Sequence, residues 1–114
     1  MPLEIRRLIL FTPNLPALTV FYQDVLGLDV INREKGWVEF DSGGCTLALH
    51  VGKSKVGDRP PKIVFYAADV AAARDSLIKR GLANAGTVKS TGVFDMCDCK
   101  DPDGNVFQIS SRKS

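Results

Sequence analysis

Asp101-Pro102-Asp103-Gly104-Asn105, followed by Val106-Phe107-Gln108-Ile109-Ser110, is the stretch on which the reading of this chain turns. Pro102 fixes its own φ, and Gly104 permits the positive φ of a tight reversal. Before the turn runs Phe94-Asp95-Met96-Cys97-Asp98-Cys99, and after it the side chains alternate again. Two short alternating runs joined by such a turn predict an antiparallel hairpin. Everything upstream reads as sheet and helix that this hairpin completes.

Working outward, the same grammar occurs twice. Leu3 to Thr12 is an apolar-rich run read as a strand. Asn14 then offers an N-cap ahead of a stripe of Leu18, Phe21, Tyr22, Val25 and Leu26, and Gly27 ends the helix. Strands follow at Leu28–Asn32, Trp37–Asp41 and Cys45–Val51, with turns at Gly36 and Ser42-Gly43-Gly44. The polar, Gly/Pro-rich segment 53–61 reads as a linker. The pattern then restarts. Lys62–Ala67 is a strand, Asp69 caps a helix with the stripe Val70, Ala73, Leu77 and Ile78, and Gly81 stops it. Strands near Ala83–Lys89, Phe94–Cys99 and Asn105–Ser110 complete the second copy. Arg7 and Lys62 lie 55 positions apart, and Ala48 and Gln108 lie 60 apart, as do Gly44 and Gly104. This is an internal repeat of strand-helix-strand-strand-strand. The expected fold is α+β: two βαβββ modules forming a curved, incompletely closed, barrel-like sheet around a central cleft. All 114 residues form one domain in this reading, with module one at 1–52 and module two at 62–114.

Composition bounds the function. An apolar fraction of 45% and a charged fraction of 25% fit an ordinary globular protein. A net charge of +2 gives no reason to expect nucleic acid, and no apolar run is long enough to span a membrane. The N-terminal residues lack the apolar core of a signal peptide. Three cysteines, Cys45, Cys97 and Cys99, do not make a secreted disulfide framework, so a cytoplasmic chain with reduced thiols is expected.

Two segments carry a family resemblance: Phe21-Tyr22-Gln23-Asp24-Val25-Leu26-Gly27-Leu28 and the Asp101–Asn105 turn, with the Asp69-Val70 helix start and the repeat length in agreement. They resemble the vicinal oxygen chelate superfamily of glyoxalases, bleomycin-resistance proteins, fosfomycin-resistance enzymes and extradiol dioxygenases. The resemblance implies the fold and leaves the reaction open, because the superfamily hosts several chemistries and simple binders. It also implies up to four metal ligands, one on the first and one on the last strand of each module. Those positions fall here on Arg7, Ala48, Lys62 and Gln108. Guanidinium and ammonium groups have no free lone pair at neutral pH, alanine is no donor, and Gln108 alone is a weak one. No metal and no other cofactor is therefore expected.

Alternation about these positions sends Arg7, Phe11, Trp37, Glu39, His50, Lys62, Tyr66, Met96, Asp98 and Gln108 to the cleft face. The candidate ligand-binding residues are Arg7, Phe11, Trp37, His50, Lys62, Tyr66, Asp98 and Gln108. The candidate acid/base groups are His50, Glu39 and Asp98. Each has a plainer reading. Arg7 and Lys62 either pair with Glu39 and Asp98 or hold a ligand anion between them. His50 and Trp37 serve equally as packing, and Cys97-x-Cys99 as two small core residues. Three functions stay open: a metal-independent binder of a small anionic or aromatic molecule, a glyoxalase-like lyase, isomerase or transferase, and a subunit with a vestigial cleft. A homodimer is expected from the family.

Overall fold

Residues 2–113 are described by a computed structural model, in which the chain divides into two compact units that meet between Lys55 and Val56. The boundary lies inside the segment read as a linker.

The first unit contains strands β1 (Arg7–Thr12), β2 (Asp29–Glu34), β3 (Trp37–Asp41) and β4 (Thr46–Val51), with helix α1 (Leu15–Val20) after β1. Asn14 caps α1 by accepting the Ala17 N–H at 3.3 Å, and Pro16 sits in the first turn, where its missing donor is not needed. The helix then widens into a π-helical turn over Phe21–Val25, closed by Leu26 N–H to Phe21 O at 3.1 Å. Phe21 and Tyr22, adjacent in sequence, are both buried there, and the Tyr22 ring meets the Phe40 ring of β3 at 6.2 Å. Gly27 ends the turn at φ 76°, as the sequence leads one to expect. The sheet order is β1-β4-β3-β2, with β1 parallel to β4 and the other ladders antiparallel.

The second unit contains β5 (Ile63–Tyr66), α2 (Val70–Lys79), β6 (Asn84–Ala85), β7 (Lys89–Ser90), β8 (Asp95–Lys100) and β9 (Val106–Ser110). Asp69 caps α2 through the Ala72 N–H at 3.0 Å, and Gly81 follows the helix at φ 119°. The order is β5-β9-β8-β6, with β7 also on β8; β5 and β9 are parallel. The β8–β9 hairpin runs from Met96 opposite Ser110 to Lys100 opposite Val106, as its sequence predicts. Pro102 and Gly104 are only part of the reason. Asp101 is buried, one of its carboxylate oxygens accepts the Asp103 and Asn105 N–H groups at 2.9 Å, and the other accepts the Asn105 amide at 2.8 Å.

Several expectations shift. The first strand begins at Arg7 rather than Leu3, and the second occupies 29–34 rather than 28–32. Ile78 is exposed, while Leu82 beyond the helix is buried instead. The strand expected over 83–89 is two fragments, because the backbone turns inward at Gly86. Its N–H reaches Asp98 O at 2.8 Å, so close that a Cβ at residue 86 would lie 2.7 Å from that oxygen. Only glycine fits this approach.

Candidate functional site

Strand pairing arranges the polar and aromatic candidates in rows on the sheet face away from the buried Val38, Phe40, Leu47, Leu49, Cys97, Cys99, Phe107 and Ile109. In the first unit one row is Phe11–His50–Trp37, each opposite the next across β1, β4 and β3. The Phe11 and His50 rings lie 5.5 Å apart and the His50 and Trp37 rings 5.8 Å, both edge to face. The next row is Ile9–Ala48–Glu39, and Arg7 stands beyond it beside Thr46. Arg7 reaches diagonally so that its Nε donates to Glu39 Oε2 at 2.9 Å, with its guanidinium 5.7 Å from the Trp37 ring centre. The Thr46 hydroxyl donates to the same Glu39 oxygen at 2.6 Å.

The second unit repeats this plan with different side chains. Val64–Gln108–Asp98 is one row, and Tyr66–Ser110–Met96 the next. Lys62 Nζ lies 3.2 and 3.1 Å from the two Asp98 oxygens, and the Gln108 amide donates to Asp98 at 2.9 Å. Glu39 and Asp98 thus stand at equivalent places, opposite Ala48 and Gln108, and each fixed cation meets a carboxylate of its own unit.

The two carboxylates differ in setting. Glu39 is the more enclosed, with its side chain 8% exposed against 39% for Arg7, whereas Lys62 and Asp98 are 45% and 50% exposed. The Thr46 hydroxyl and then the Arg7 guanidinium hold Glu39 below the ordinary carboxylate range, against the upward push of burial. The Trp37 indole N–H lies close enough to add to this lowering but outside hydrogen-bonding geometry, and it is buried with no hydrogen-bond partner among the described residues. Burial raises Asp98, but the Gln108 amide, Lys62 and the charge of Lys89 outweigh it, and the net is again downward. Both groups are therefore poor proton acceptors at neutral pH. The His50 ring makes its described contacts with Phe11 and Trp37, and no hydrogen bond to its nitrogens occurs among the described residues.

Among the described residues no three His, Cys, Asp or Glu side chains gather as a metal would need. The second unit holds two shallow cavities on this face. One, of about 370 Å³, includes Asn84, Asp98, Lys100 and Val106, and the other, of about 380 Å³, includes Val64, Phe94, Met96 and Gln108. Sequence reasoning missed Thr46 as the second partner of Glu39, although its place on the face follows from alternation with Ala48. It also missed Phe94 and Lys100.

The Glyoxalase/Bleomycin resistance protein/Dioxygenase superfamily model matches residues 4–109, and the chain belongs to this superfamily. Among solved structures it is similar to a lactoylglutathione lyase from Agrobacterium tumefaciens, at 21% identity and TM-score 0.75 over 96% of this chain and 93% of that one. A glyoxalase/bleomycin resistance protein/dioxygenase family enzyme from Burkholderia phytofirmans PsJN is 19% identical, with TM-score 0.78 over 95% and 98% of the two chains. A glyoxalase/bleomycin resistance protein/dioxygenase from Nocardioides is also 19% identical, with TM-score 0.82 over 96% and 83%. At these identities the likeness speaks for the fold. Among curated proteins no sequence match was found. No helix among the described residues is long and apolar enough to cross a membrane.

Proposed function

We propose that this chain is a metal-independent binding protein of the superfamily, and that it takes a small molecule with a planar aromatic part. The observation that carries the reading is the Phe11–His50–Trp37 row. Phe11 is 50% exposed, and the His50 nitrogens are left to a ligand's hydrogen-bonding groups. Arg7 and Lys62, at positions where the family's enzymes place metal ligands, carry fixed charge already answered by Glu39 and Asp98. With Ala48 and Gln108 they form a donor set that does not suit a divalent metal. A ligand's anionic group is secondary here, because it would have to displace one of these carboxylates.

Lys62, Tyr66, Asp98 and Gln108 belong to the matching face of module two in this reading. The lowered pKa of Glu39 and Asp98 favours binding over acid/base turnover. The homodimer and the cytoplasmic location expected from the sequence are part of the proposal.

Trp37 is the only tryptophan, so intrinsic fluorescence reports on this row directly. Titration with 1-naphthoate is expected to change the emission saturably, with cyclohexanecarboxylate and inorganic phosphate much weaker. Phe11→Ala or His50→Ala should weaken naphthoate by about three- to tenfold, the worth of one aromatic contact. Equal responses to naphthoate and cyclohexanecarboxylate, or variants indistinguishable from wild type, would sink the reading.

A further inference from the structure

Cys97 and Cys99 alternate with Asp98 on β8, so both sulfurs lie on the buried face toward α2 while Asp98 projects to the opposite one. The two sulfurs are 3.8 Å apart. The Cys97 thiol donates to the Gly86 carbonyl at 3.3 Å, and the same carbonyl accepts Arg74 Nε at 2.6 Å. Residue 98 is therefore gripped on both sides of the strand. Gly86 N–H holds its backbone oxygen at 2.8 Å, and Lys62 and Gln108 hold its carboxylate.

We propose that Cys97 and Cys99 form a reversible dithiol–disulfide pair whose oxidation, by exchange with a small disulfide, releases Asp98 from Lys62 and Gln108. The inference stands whether or not the face binds an aromatic ligand. The distances require the coupling. A disulfide brings its sulfurs to about 2.05 Å and its Cβ atoms to about 3.5–4.5 Å. Alternate residues of an extended strand are about 6.6–6.8 Å apart, and their Cβ atoms, which point to the same face, are separated by about as much. Closing the bridge therefore shortens β8 across one residue, and that residue is Asp98. The strand buckles there, the Gly86 N–H loses its acceptor, and the carboxylate swings from its partners. A bridge strained in this way is readily reduced again, as labile disulfides are.

The exchange is balanced. The Cys97 thiolate attacks one sulfur of RS–SR, and one RS⁻ leaves. The Cys99 thiolate then attacks the Cys97 sulfur of the mixed disulfide and expels the second RS⁻. The two thiol protons end on two RSH, so the reagent gains the two electrons that the pair loses. Burial and the neighbouring Cys97 push the Cys99 thiol up to about 12, so the exchange is expected to be slow until the pair is opened to water. Access is through residues 84–90, whose two-residue strands are the least stitched cover of β8.

The test uses the full chain carrying Cys45→Ser, which removes the third thiol, incubated with 2-hydroxyethyl disulfide. Peptide mapping by mass should show loss of two hydrogen atoms across Cys97–Cys99, reversed by dithiothreitol. The Gln108 side-chain amide signal in ¹⁵N NMR should shift with the same time course. If the serine variant folds poorly, wild type mapped in the same way gives the same reading. Thiols that stay free until the protein unfolds would overturn the proposal, and so would a mixed disulfide that never closes. A closed bridge with the Gln108 signal unmoved would overturn it equally.

Discussion

The two units are built on one plan and differ in what stands on their open faces. In the first, the cation–carboxylate pair is tucked against Thr46 and Trp37, and the next row is wholly aromatic. In the second, the equivalent pair stands half in water, and the next row is Tyr66, Ser110 and Met96. A shared backbone thus fixes where a charge pair sits, while the neighbouring strand residues decide how strongly it is held. The first unit invests the pair in its own integrity, whereas the second keeps it loose.

The largest effect expected tests the part the units share, a helix covering one sheet face. Phe21→Ala removes a buried ring and should cost about 3–5 kcal/mol by urea denaturation. A loss below about 0.5 kcal/mol would mean that the helix covers nothing.

The charge pairs come next, and they should separate the units. Glu39→Gln leaves Arg7 without its anion in a half-buried setting and should cost about 1–3 kcal/mol, between the values for exposed and buried pairs. Asp98→Asn, at an exposed pair, should cost less than about 1 kcal/mol. Equal losses would erase the contrast between the two units.

Acid titration sharpens it further. Both carboxylates are lowered on folding, so below their ordinary values the unfolded chain takes up protons first. Their stabilisation is present above those values and is lost as the pH falls. Urea midpoints followed downward from about pH 6 should fall as the pH drops below the ordinary values of these carboxylates. Glu39→Gln and Asp98→Asn should each flatten that fall, Glu39→Gln the more, because its carboxylate is the more enclosed.

The smallest effect expected is none. Chelator should leave the melting temperature unchanged, and elemental analysis should find no stoichiometric transition metal. One tightly held equivalent with His50 among its ligands would reverse the account of the first unit.

The repeat, the helix caps and the alternation of faces were legible because each depends on side chains close in sequence. Asn14, Asp69, Gly27 and Gly81 all sit where a cap or stop is chemically required. The candidates followed from strand parity counted from the positions that the family resemblance marked. Their partners were harder to see. Thr46 meets Glu39 along a diagonal that depends on register, and the break at Gly86 depends on how closely two backbones approach. The π-helical turn has no signature in a sequence whose apolar spacing suits an ordinary helix. Even the decisive hairpin was credited to Pro102 and Gly104, while the buried Asp101 organises it as much as they do.

In each unit the last strand lies between the first strand and the strand that precedes it in sequence, so the first strand's only ladder is the one it makes with the last. Arg7 waits for Thr46, and Ile63 waits for Phe107, about forty residues downstream in each case. Neither module can be assembled by adding strands in the order the chain supplies them, because the first is an orphan until the last arrives as keystone. Where the chain is cut therefore matters more than how much is removed. A nick in 53–61 leaves both keystones with their neighbours, whereas one at Ser42–Gly44 parts β4 from everything it must join.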